Sequence, residues 1–563
     1  MAATLAATLL SSSRAPAQIS MESVRTLDAR LQQVEALYEK LPPTLQKALD
    51  GYSNVLQFAK VWHQYGYRFA ESSFPARFSL LGAESAFRLA ASQPAGVSRV
   101  SNPSTDLLYS SFGGFTQSET STARCGNSVV VGFNDSGSVF ETPFFFTGNG
   151  GESFSGVAVS SDGGSTFTDL GPVPPGSITG NFMGGDPVVS CSDSSTFYYS
   201  QIFGTYDTSG NPLVAVAVNK STDGGQTWGD PVAAVSKDGN THFLDKPWST
   251  TDPTKPGRIY VSYTDFDYSG TNPACPGQAR TAIELVGSQN GGSTWSAPRV
   301  AIQVCGDAAV QGSQLAVDSK GTLHIAWVNL GSNFPFPPRT IQISSLVPGG
   351  KLSAPVTVDS VSPGGDSYYL QGEFRDFLSM TLTVDRSGTA SDGTLYVTWG
   401  DGRDKTVPDP LGIAGTYSYD DILLRVSTDG GATWGFGLPI KVNSDTQPRT
   451  AGGHDHYQPG IAVDRSGEVA VCWYDRRDDA QDFAIRHYCG ESITGGLTWT
   501  NSNVGVSPFA PTHGIDLIIN PIYMGDYDVV TSDFTGANSG FIGSFQVMNN
   551  SRGNPDIVAY SFP

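Results

Sequence analysis

The chain is predicted to fold as an all-β propeller, because one short phrase recurs along it at the spacing of propeller blades. The phrase has the form Ser-x-Asp-Gly-Gly-x-Thr-Trp, and its third position is Asp162, Asp223, Asn290, Asp429 and Thr494 in successive copies. Successive copies of the phrase are usually roughly 60 to 70 residues apart. One interval is about twice this length, and a degenerate copy at residues 347–353 divides it. Repeated units of this length, each with several short strands, are typical of propellers rather than of helical stacks.

Each copy is interpreted as a tight hairpin between two strands. The Asp or Asn side chain accepts hydrogen bonds from nearby backbone N–H groups, and the Gly-Gly pair supplies the positive φ angles of the turn. The aromatic residue that ends the phrase is expected to pack in the core. Four of these residues are Trp228, Trp295, Trp434 and Trp499.

A second phrase lies between the hairpins and reads as strand, turn, strand. It is clearest at residues 315–329, 382–401 and 461–475, where apolar runs flank a turn rich in Asp, Ser and Gly. A third strand, the glycine hairpin and a fourth strand follow, which predicts a four-stranded antiparallel blade. Seven first strands indicate seven blades, with six as the alternative if the last segment completes the opening blade. The last unit has three evident strands, and the segment from Asp106 is expected to complete its outer edge.

The composition fits a large, turn-rich, soluble all-β protein. The 563 residues have a formal net charge of −20 and include 65 glycines and 35 prolines. This acidity argues against a nucleic-acid partner, since such affinity depends on Lys and Arg neutralising phosphates. No apolar stretch reaches the length of a membrane span.

The chain divides into four segments. Residues 1–17 are either a signal-like segment with a small-residue cleavage site or a disordered tail. Residues 18–84 have the apolar spacing of a helical hairpin, residues 85–105 read as a linker, and residues 106–563 form the propeller. The helical hairpin is expected to pack on the propeller or to mediate assembly.

The six cysteines are expected to form three disulfides in an exported protein, either secreted or periplasmic. Cys472 and Cys489 flank a hairpin symmetrically, and Cys125 and Cys191 occupy similar places in adjacent units. Cys275 is then left with Cys305. Buried free thiols are the alternative.

Charged residues recur where the loops of a propeller meet at one end of its axis. Before the first strands lie Asp245, Arg375, Asp376, Asp455, His456, Asp526 and Tyr527, and after the second strands lie Arg403, Asp475, Arg476 and Arg477. Arginines at such a mouth could bind a carboxylate or sulfate with two hydrogen bonds. Salt bridges between adjacent blades are the alternative for these arginines, and a structural hydrogen bond is the alternative for His456. No cofactor is required, although the oxygen-rich surroundings would suit Ca²⁺ better than Zn²⁺.

The repeated phrase is the Asp-box, or bacterial neuraminidase repeat, and the chain resembles the sialidase superfamily of propellers from about Gly113 onward. The resemblance implies an arginine clamp for a sugar carboxylate, a Tyr nucleophile assisted by an acid, and an Asp as acid/base. Tyr527, Asp526 and Asp245 are the candidates for chemistry; the substrate-binding candidates are Arg375, Arg403, Arg476, Arg477, Asp376, Asp455, His456 and Asp475. The family's early Phe/Tyr-Arg-Ile-Pro phrase is absent, and Arg124 is the early arginine in its place.

Two functions follow from these observations. The first is a secreted sialidase-like propeller that binds acidic glycans or glycoconjugates and hydrolyses them. The second is a non-catalytic extracellular propeller that binds a glycan or a protein in adhesion. Since a fold does not determine an activity, the two are separated by the arrangement of the site.

Overall fold

The computed structural model describes residues 96–102, 116–138, 150–178, 180–332, 339–362, 370, 380–403, 406–407, 417–435, 437–446, 453–509, 524–533, 535, 540–549 and 554–562. The predicted signal-like segment and helical hairpin lie outside these residues. Within the described residues, the structure contains no apolar helix of membrane-spanning length.

The structure is built from short strands in the following chain order. The first sixteen are β1 (Val97–Arg99), β2 (Gln117–Cys125), β3 (Ser128–Asp135), β4 (Glu152–Ser153), β5 (Ser155–Ser160), β6 (Thr168–Pro172), β7 (Phe182–Met183), β8 (Val188–Cys191), β9 (Phe197–Tyr206), β10 (Pro212–Ser221), β11 (Val232–Asp238), β12 (His242–Thr251), β13 (Ile259–Asp267), β14 (Arg280–Ser288), β15 (Arg299–Cys305) and β16 (Ala309–Val317). The remaining strands are β17 (Leu323–Gly331), β18 (Arg339–Leu346), β19 (Val356–Val361), β20 (Thr381–Val384), β21 (Leu395–Asp401), β22 (Thr406–Val407), β23 (Tyr417–Ser418), β24 (Asp421–Ser427), β25 (Ile440–Lys441), β26 (His456–Val463), β27 (Val469–Asp475), β28 (Arg486–Ser492), β29 (Thr500–Asn503), β30 (Val530–Ser532), β31 (Phe541–Asn549) and β32 (Asn554–Phe562).

In the described part of the chain, these strands form seven four-stranded antiparallel blades. From the inner to the outer strand, the blades are β2-β3-β5-β6, β8-β9-β10-β11, β12-β13-β14-β15, β16-β17-β18-β19, β20-β21-β24-β25, β26-β27-β28-β29 and β30-β31-β32-β1. Short β4 and β7 extend the second blade, and β22 and β23 form a separate ribbon. The first strands of neighbouring blades contact one another all the way round, from β2 to β30 and back to β2. The ring is therefore a closed seven-bladed propeller, and the alternative of six blades is wrong.

The ring is closed by a strand from before the first blade. Residues 97–99 of β1 pair with residues 558–560 of β32, which completes the outer edge of the seventh blade. The closure has the predicted form, but the strand lies earlier than the segment from Asp106, within residues assigned to the linker. Residues 103–115 lie outside the described part of the chain. The pairing covers the edge that β32 would otherwise present to other chains.

The five glycine hairpins each connect the third and fourth strands of a blade, at the outer rim of the ring. In the fifth blade, Asp429 accepts hydrogen bonds from Thr433 N at 2.9 Å and Thr433 Oγ1 at 2.6 Å. Gly430 and Gly431 have φ of 73° and 90°. The same contacts recur in the other copies, with Asn290 and Thr494 in the place of Asp. The repeated phrase is thus explained by turn geometry.

The Trp residues of the hairpins pack on the blade cores. Trp434 is buried at 5% exposure in the core between the fourth and fifth blades. Trp228, Trp295 and Trp499 are partly buried against the cores of other blades. Their predicted packing role is supported, and burial is deepest at Trp434.

All three expected disulfides are present. Cys472 and Cys489 are directly opposite each other in β27 and β28, with Cα atoms 4.0 Å apart. Cys125 joins Cys191 across the first and second blades, and Cys275 joins Cys305 within the third. The six cysteines of the chain are thereby all paired.

Candidate functional site

The predicted site residues that the structure describes lie at one end of the propeller, here called the upper end. Because strand direction alternates within a blade, first strands begin where second strands end. The register shows this directly: Gln117 is opposite Asp135 in the first blade, and His456 is opposite Asp475 in the sixth. The glycine hairpins lie at the other end, here called the lower end.

Backbone strain marks the upper ends of four first strands. Glu119, Asp186, Lys246 and Gln458 have φ between 48° and 54°, a region that non-glycine residues rarely adopt. Gly312 takes the equivalent place in the fourth blade with φ of 69°. Each such non-glycine residue costs about 1 to 3 kcal/mol, and such strain clusters at functional sites.

Lys246 is the centre of a buried charge cluster at this place. Its Nζ lies 2.5 Å from Asp526 Oδ2, 3.0 Å from Glu119 Oε1 and 3.3 Å from Asp186 Oδ2. These partners come from the seventh, first and second blades, while Lys246 belongs to the third. The cluster, defined as Glu119, Asp186, Asp245, Lys246 and Asp526, therefore lies where the blades converge on the axis.

Neighbouring polar groups hold the carboxylates of this cluster in place. The Asp526 backbone N donates to Glu119 Oε1 at 3.1 Å, and Asn134 Nδ2 donates to Glu119 Oε2 at 2.8 Å. Gln311 Nε2 donates to Asp245 Oδ2 at 2.6 Å. Glu119, Asp186 and Asp245 are fully buried, whereas Lys246 and Asp526 each remain 8% exposed. The lysine and Asp526 therefore form the accessible edge of the cluster.

Burial changes the protonation of this cluster. Burial, outweighing the attraction of Lys246, raises the pKa of both Asp186 and Asp245 to about 6. For Lys246, burial opposes the charged form, but the surrounding carboxylates outweigh it and raise its pKa well above the usual value. The lysine stays charged, and two of the aspartates hold protons in mildly acidic solution.

Tyr527 forms part of the wall beneath the cluster. Its hydroxyl donates to the carbonyl of Pro187 at 3.0 Å, and its ring lies edge-on to Trp248 with centroids 5.6 Å apart. Lys246 Nζ lies 5.6 Å from the centroid of the same ring. Burial and the nearby carboxylates raise the pKa of Tyr527 well above its usual value. The phenol is therefore neutral and already hydrogen-bonded.

Arg403 and Arg477 take part in one repeated interaction that ties neighbouring blades together. Arg403 forms an ion pair with Asp401 at 2.7 Å and reaches Asp359, on the outer strand of the preceding blade, at 3.2 Å. Arg477 pairs with Asp475 at 2.7 Å and approaches Asp445, beyond the outer strand of the preceding blade, at 3.6 Å. Their guanidinium groups are thus engaged within the protein.

Arg476 is fully buried beside Asp455 and Asp482. Its Nη1 donates to the backbone carbonyl of Asp482 at 2.8 Å and lies 3.7 Å from Asp455 Oδ2. The Asp455 backbone N in turn donates to Asp482 Oδ1 at 2.8 Å. These contacts fix the loop between β27 and β28 against the start of β26.

His456 lies between the fifth and sixth blades and is fully buried. Its Nδ1 is 2.8 Å from the carbonyl of Asp420, and its Nε2 is 3.1 Å from Asp445 Oδ1 and 3.5 Å from Asp475 Oδ2. Burial disfavours the imidazolium, but Asp475 and Asp445 outweigh it and raise the pKa of His456. These contacts match the structural alternative for this residue.

The structure brings Asp245, Asp526 and Tyr527 together around Lys246, and places Arg403, Asp455, His456, Asp475, Arg476 and Arg477 in interblade or loop contacts. Arg375 and Asp376 lie outside the described residues. The sequence-based site set omitted Glu119, Asp186 and Lys246. The sequence carries a signal for Asp186 and Lys246. In Asp186-Pro187 and Lys246-Pro247, as in Gln458-Pro459, a proline directly follows the residue with positive φ.

In the described ranges, no group of three or more His, Cys, Asp or Glu side chains is arranged to hold a metal ion. The cation among the clustered carboxylates is the ammonium group of Lys246.

Comparison with known proteins finds similarity among solved structures only. No family model and no curated protein matches the chain. A Hadza microbial sialidase, Hz136, is 13% identical over 72% of this chain and 73% of its own, with a TM-score of 0.38. A Penicillium chrysogenum α-L-arabinanase complexed with arabinobiose is 11% identical over 68% and 94%, with a TM-score of 0.40. A Trypanosoma rangeli sialidase is 12% identical over 72% and 59%, with a TM-score of 0.37. These similarities are too distant to assign an activity or a residue role to this chain.

Proposed function

We propose that this propeller is an exported glycan-binding protein that hydrolyses glycosidic bonds at the Lys246 cluster. The observation that carries the proposal is the convergence, on strained backbone, of protonatable and ionised carboxyl groups around one lysine. Glycoside hydrolysis in most families needs one carboxyl group that donates a proton and a second that is ionised. Asp186 and Asp245, with pKa values of about 6, retain protons, while Asp526 is held beside the ammonium group of Lys246.

The role of each residue in the Lys246 cluster follows from how exposed its side chain is. Asp526 and Lys246 are the members of the cluster with exposed surface, so the Asp526 carboxylate is assigned the role of the base that takes a proton from the water attacking the sugar. The buried Asp186 and Asp245 hold Lys246 and are the source of the proton that the departing glycosidic oxygen receives. Tyr527, predicted as a nucleophile, would first have to leave its hydrogen bond to Pro187. It is assigned here to the floor of the site.

The contacts that the arginines already make within the protein indicate the charge of the sugar that the upper end binds. Arg403, Arg476 and Arg477 are occupied by ion pairs or backbone bonds, and the cluster itself has more carboxyl groups than cations. Among the described residues, these contacts favour a neutral sugar at the upper end over the acidic glycan expected from the sequence. Export is supported by the three disulfides, which persist in oxidising compartments.

A non-catalytic binding propeller is the second candidate. It is favoured by the neutral, hydrogen-bonded phenol of Tyr527 and by the low exposure of the cluster, both of which suit a rigid structural plug. In this case the upper end would bind a glycan or protein through its loops without bond cleavage.

A glycoside screen separates these functions. The purified protein is incubated with fluorogenic arabinosides, hexosides, sialosides and uronides between pH 4 and 8. We expect turnover of a neutral glycoside, and a fall of about 100-fold or more in kcat/KM for Asp526→Asn, since a lost acid/base group typically costs 100- to 10,000-fold. Asp245→Asn should change the pH profile near pH 6 rather than KM.

Arg465→Gln is the matched control, because Arg465 is exposed and lies in a turn at the lower end. Its activity should equal that of the unaltered protein. Glycan binding without turnover of any glycoside would establish the second candidate. Turnover that Asp526→Asn leaves intact would exclude the Lys246 cluster as the active site.

A further inference from the structure

A cavity lies at the lower end of the propeller axis. It has a volume of about 880 Å³ and is lined by the later halves of β2, β8 and β12 and by the turns that follow β8 and β12. A small cavity of about 30 Å³ lies directly beneath Lys246, and Trp248 lines both. Trp248 therefore belongs to the layer that separates the lower cavity from the Lys246 cluster.

Three cationic side chains from three blades line the lower cavity. They are Arg124 at the end of β2, Lys220 at the end of β10 and Arg386 in the turn after β20. Lys220 Nζ lies 5.8 Å from the centroid of the Tyr198 ring, and within the described residues it makes no ion pair. This concentration of cations is notable in a chain with a net charge of −20.

The carboxylates of the cavity wall are already engaged by their own turns. Asp193 Oδ1 accepts from Ser195 N and Thr196 N, each at 2.9 Å. Asp252 accepts from Thr254 N at 2.8 Å and lies 3.4 Å from Arg258. Neither is paired with Lys220, so the cavity retains a cation available to a ligand.

The remaining wall is rich in hydroxyl groups and is rigid. Serine and threonine side chains of the inner strands line it, among them Ser190, Thr250 and Thr531. The Cys125–Cys191 disulfide joins the first two blades within the same wall. A rigid polar cavity of this volume is within the usual size range for small-molecule sites.

We propose that the lower cavity binds a small hydroxylated organic anion of the sugar-acid class. Its carboxylate would be held by Lys220, and its hydroxyl groups would bond to the serine- and threonine-rich wall. A charge-assisted hydrogen bond favours such a ligand over its neutral counterpart. The site is independent of the Lys246 cluster, because it lies at the other end of the axis.

Calorimetric titration with D-glucuronate and with D-glucose tests this site, since the two sugars differ in the carboxylate. We expect glucuronate to bind more tightly than glucose, and the binding to weaken as salt is added. Lys220→Met and Lys220→Gln should each weaken glucuronate binding about tenfold or more, the loss typical of one charged hydrogen bond. Melting curves check that each variant is folded, and either variant alone suffices if the other is not.

Two controls complete the experiment. Lys351→Met removes the same charge from an exposed position outside the cavity and should bind glucuronate as the unaltered protein does. Asp526→Asn alters the upper end and should also leave this binding unchanged. The proposal is overturned if glucose binds as well as glucuronate, if both cavity variants bind normally, or if Asp526→Asn abolishes the binding.

Discussion

At the scale of single residues, buried groups between blades link the stability of the ring to its chemistry. Asp528 is the clearest case: it accepts from Thr120 Oγ1 at 2.6 Å and from Tyr474 Oη at 2.5 Å, and so joins the seventh, first and sixth blades. Trp434 serves the same purpose with apolar contacts between the fourth and fifth blades. Each residue gives a separate prediction.

Asp528 is predicted to make the protein less stable as the pH rises from 4 to 7. Burial raises its pKa to about 7, from the usual 3.8. Between these values the folded state holds a proton that the unfolded state has lost, so the free energy of unfolding falls as pH increases. The shift corresponds to about 4 kcal/mol.

Urea unfolding at intervals between pH 4 and 8 measures this effect. Asp528→Asn should remove most of the slope between pH 6 and 7. The slope that remains between pH 4 and 6 should come from Asp169, Asp186 and Asp245, whose pKa values are about 6. An unchanged slope in the variant would show that Asp528 ionises normally in the fold.

Trp434→Ala is predicted to lower the free energy of unfolding by about 3 to 5 kcal/mol, the usual cost of truncating a buried aromatic residue. Trp434 is 5% exposed, and its Nε1 donates to the Gly431 carbonyl at 3.2 Å. Trp295→Ala is the matched comparison, since Trp295 makes the same bond but is only partly buried. Chemical denaturation should show a smaller loss for Trp295→Ala, and equal losses would contradict the packing argument.

At the scale of elements, the ends of the second strands in the fifth and sixth blades repeat one arrangement. Trp399 Nε1 donates to Asp401, and Trp473 Nε1 donates to Asp475, both at 2.7 Å. In each blade an arginine two residues after the Asp bonds back to it and extends to the preceding blade. The motif Trp-x-Asp-x-Arg therefore orders a strand end and joins two blades.

Arg477→Gln is predicted to lower the free energy of unfolding by about 3 kcal/mol, because the buried Asp475 loses its arginine partner and keeps only His456 and the Trp473 N–H as side-chain partners. Glycan affinity at the upper end should not change if the arginine is structural. Denaturation and binding are measured on the same preparation, with Arg465→Gln as the exposed control. A variant with normal stability and lost affinity would restore the ligand-binding interpretation of this arginine.

At the scale of the whole molecule, closure of the ring depends on β1. Its three residues pair with β32, and the adjoining Val100 is 2% exposed. Without β1, the edge of β32 would be open to pairing with other chains.

Two shortened chains test this closure. A chain that begins at residue 95 keeps β1, whereas one that begins at residue 102 lacks it. We expect the second to melt at a lower temperature and to associate at micromolar concentration, which light scattering detects. Equal melting temperatures and a monomeric state for both would show that the ring holds without its closing strand.

The sequence predicted those features that depend on local or repeated patterns. The glycine hairpins at Asp162 or Asp429 form because Gly-Gly and the Asp side chain satisfy a turn within a few residues, whatever surrounds them. The Cys125–Cys191 disulfide followed from similar places in adjacent units, Cys472–Cys489 followed from the hairpin that they flank, and Cys275–Cys305 was the remaining pair. The convergence of Asp245, Asp526 and Tyr527 followed from blade symmetry, which brings equivalent strand ends to one place.

Only the tertiary structure decided which groups these charged residues meet. Arg403 and Arg477 were candidates for a ligand, but the preceding blade brings Asp359 and Asp445 to them, and no sequence spacing encodes that neighbour. Lys246 gained its role because carboxylates from three other blades surround it. The closing strand β1 is too short to be recognised by its pattern, since its stability comes from pairing with a strand more than 450 residues away. The sequence by itself determined the repeating unit, because its turns and strands form from local interactions. The tertiary structure decided the site, because charge pairing across blades depends on distances that only the closed ring sets.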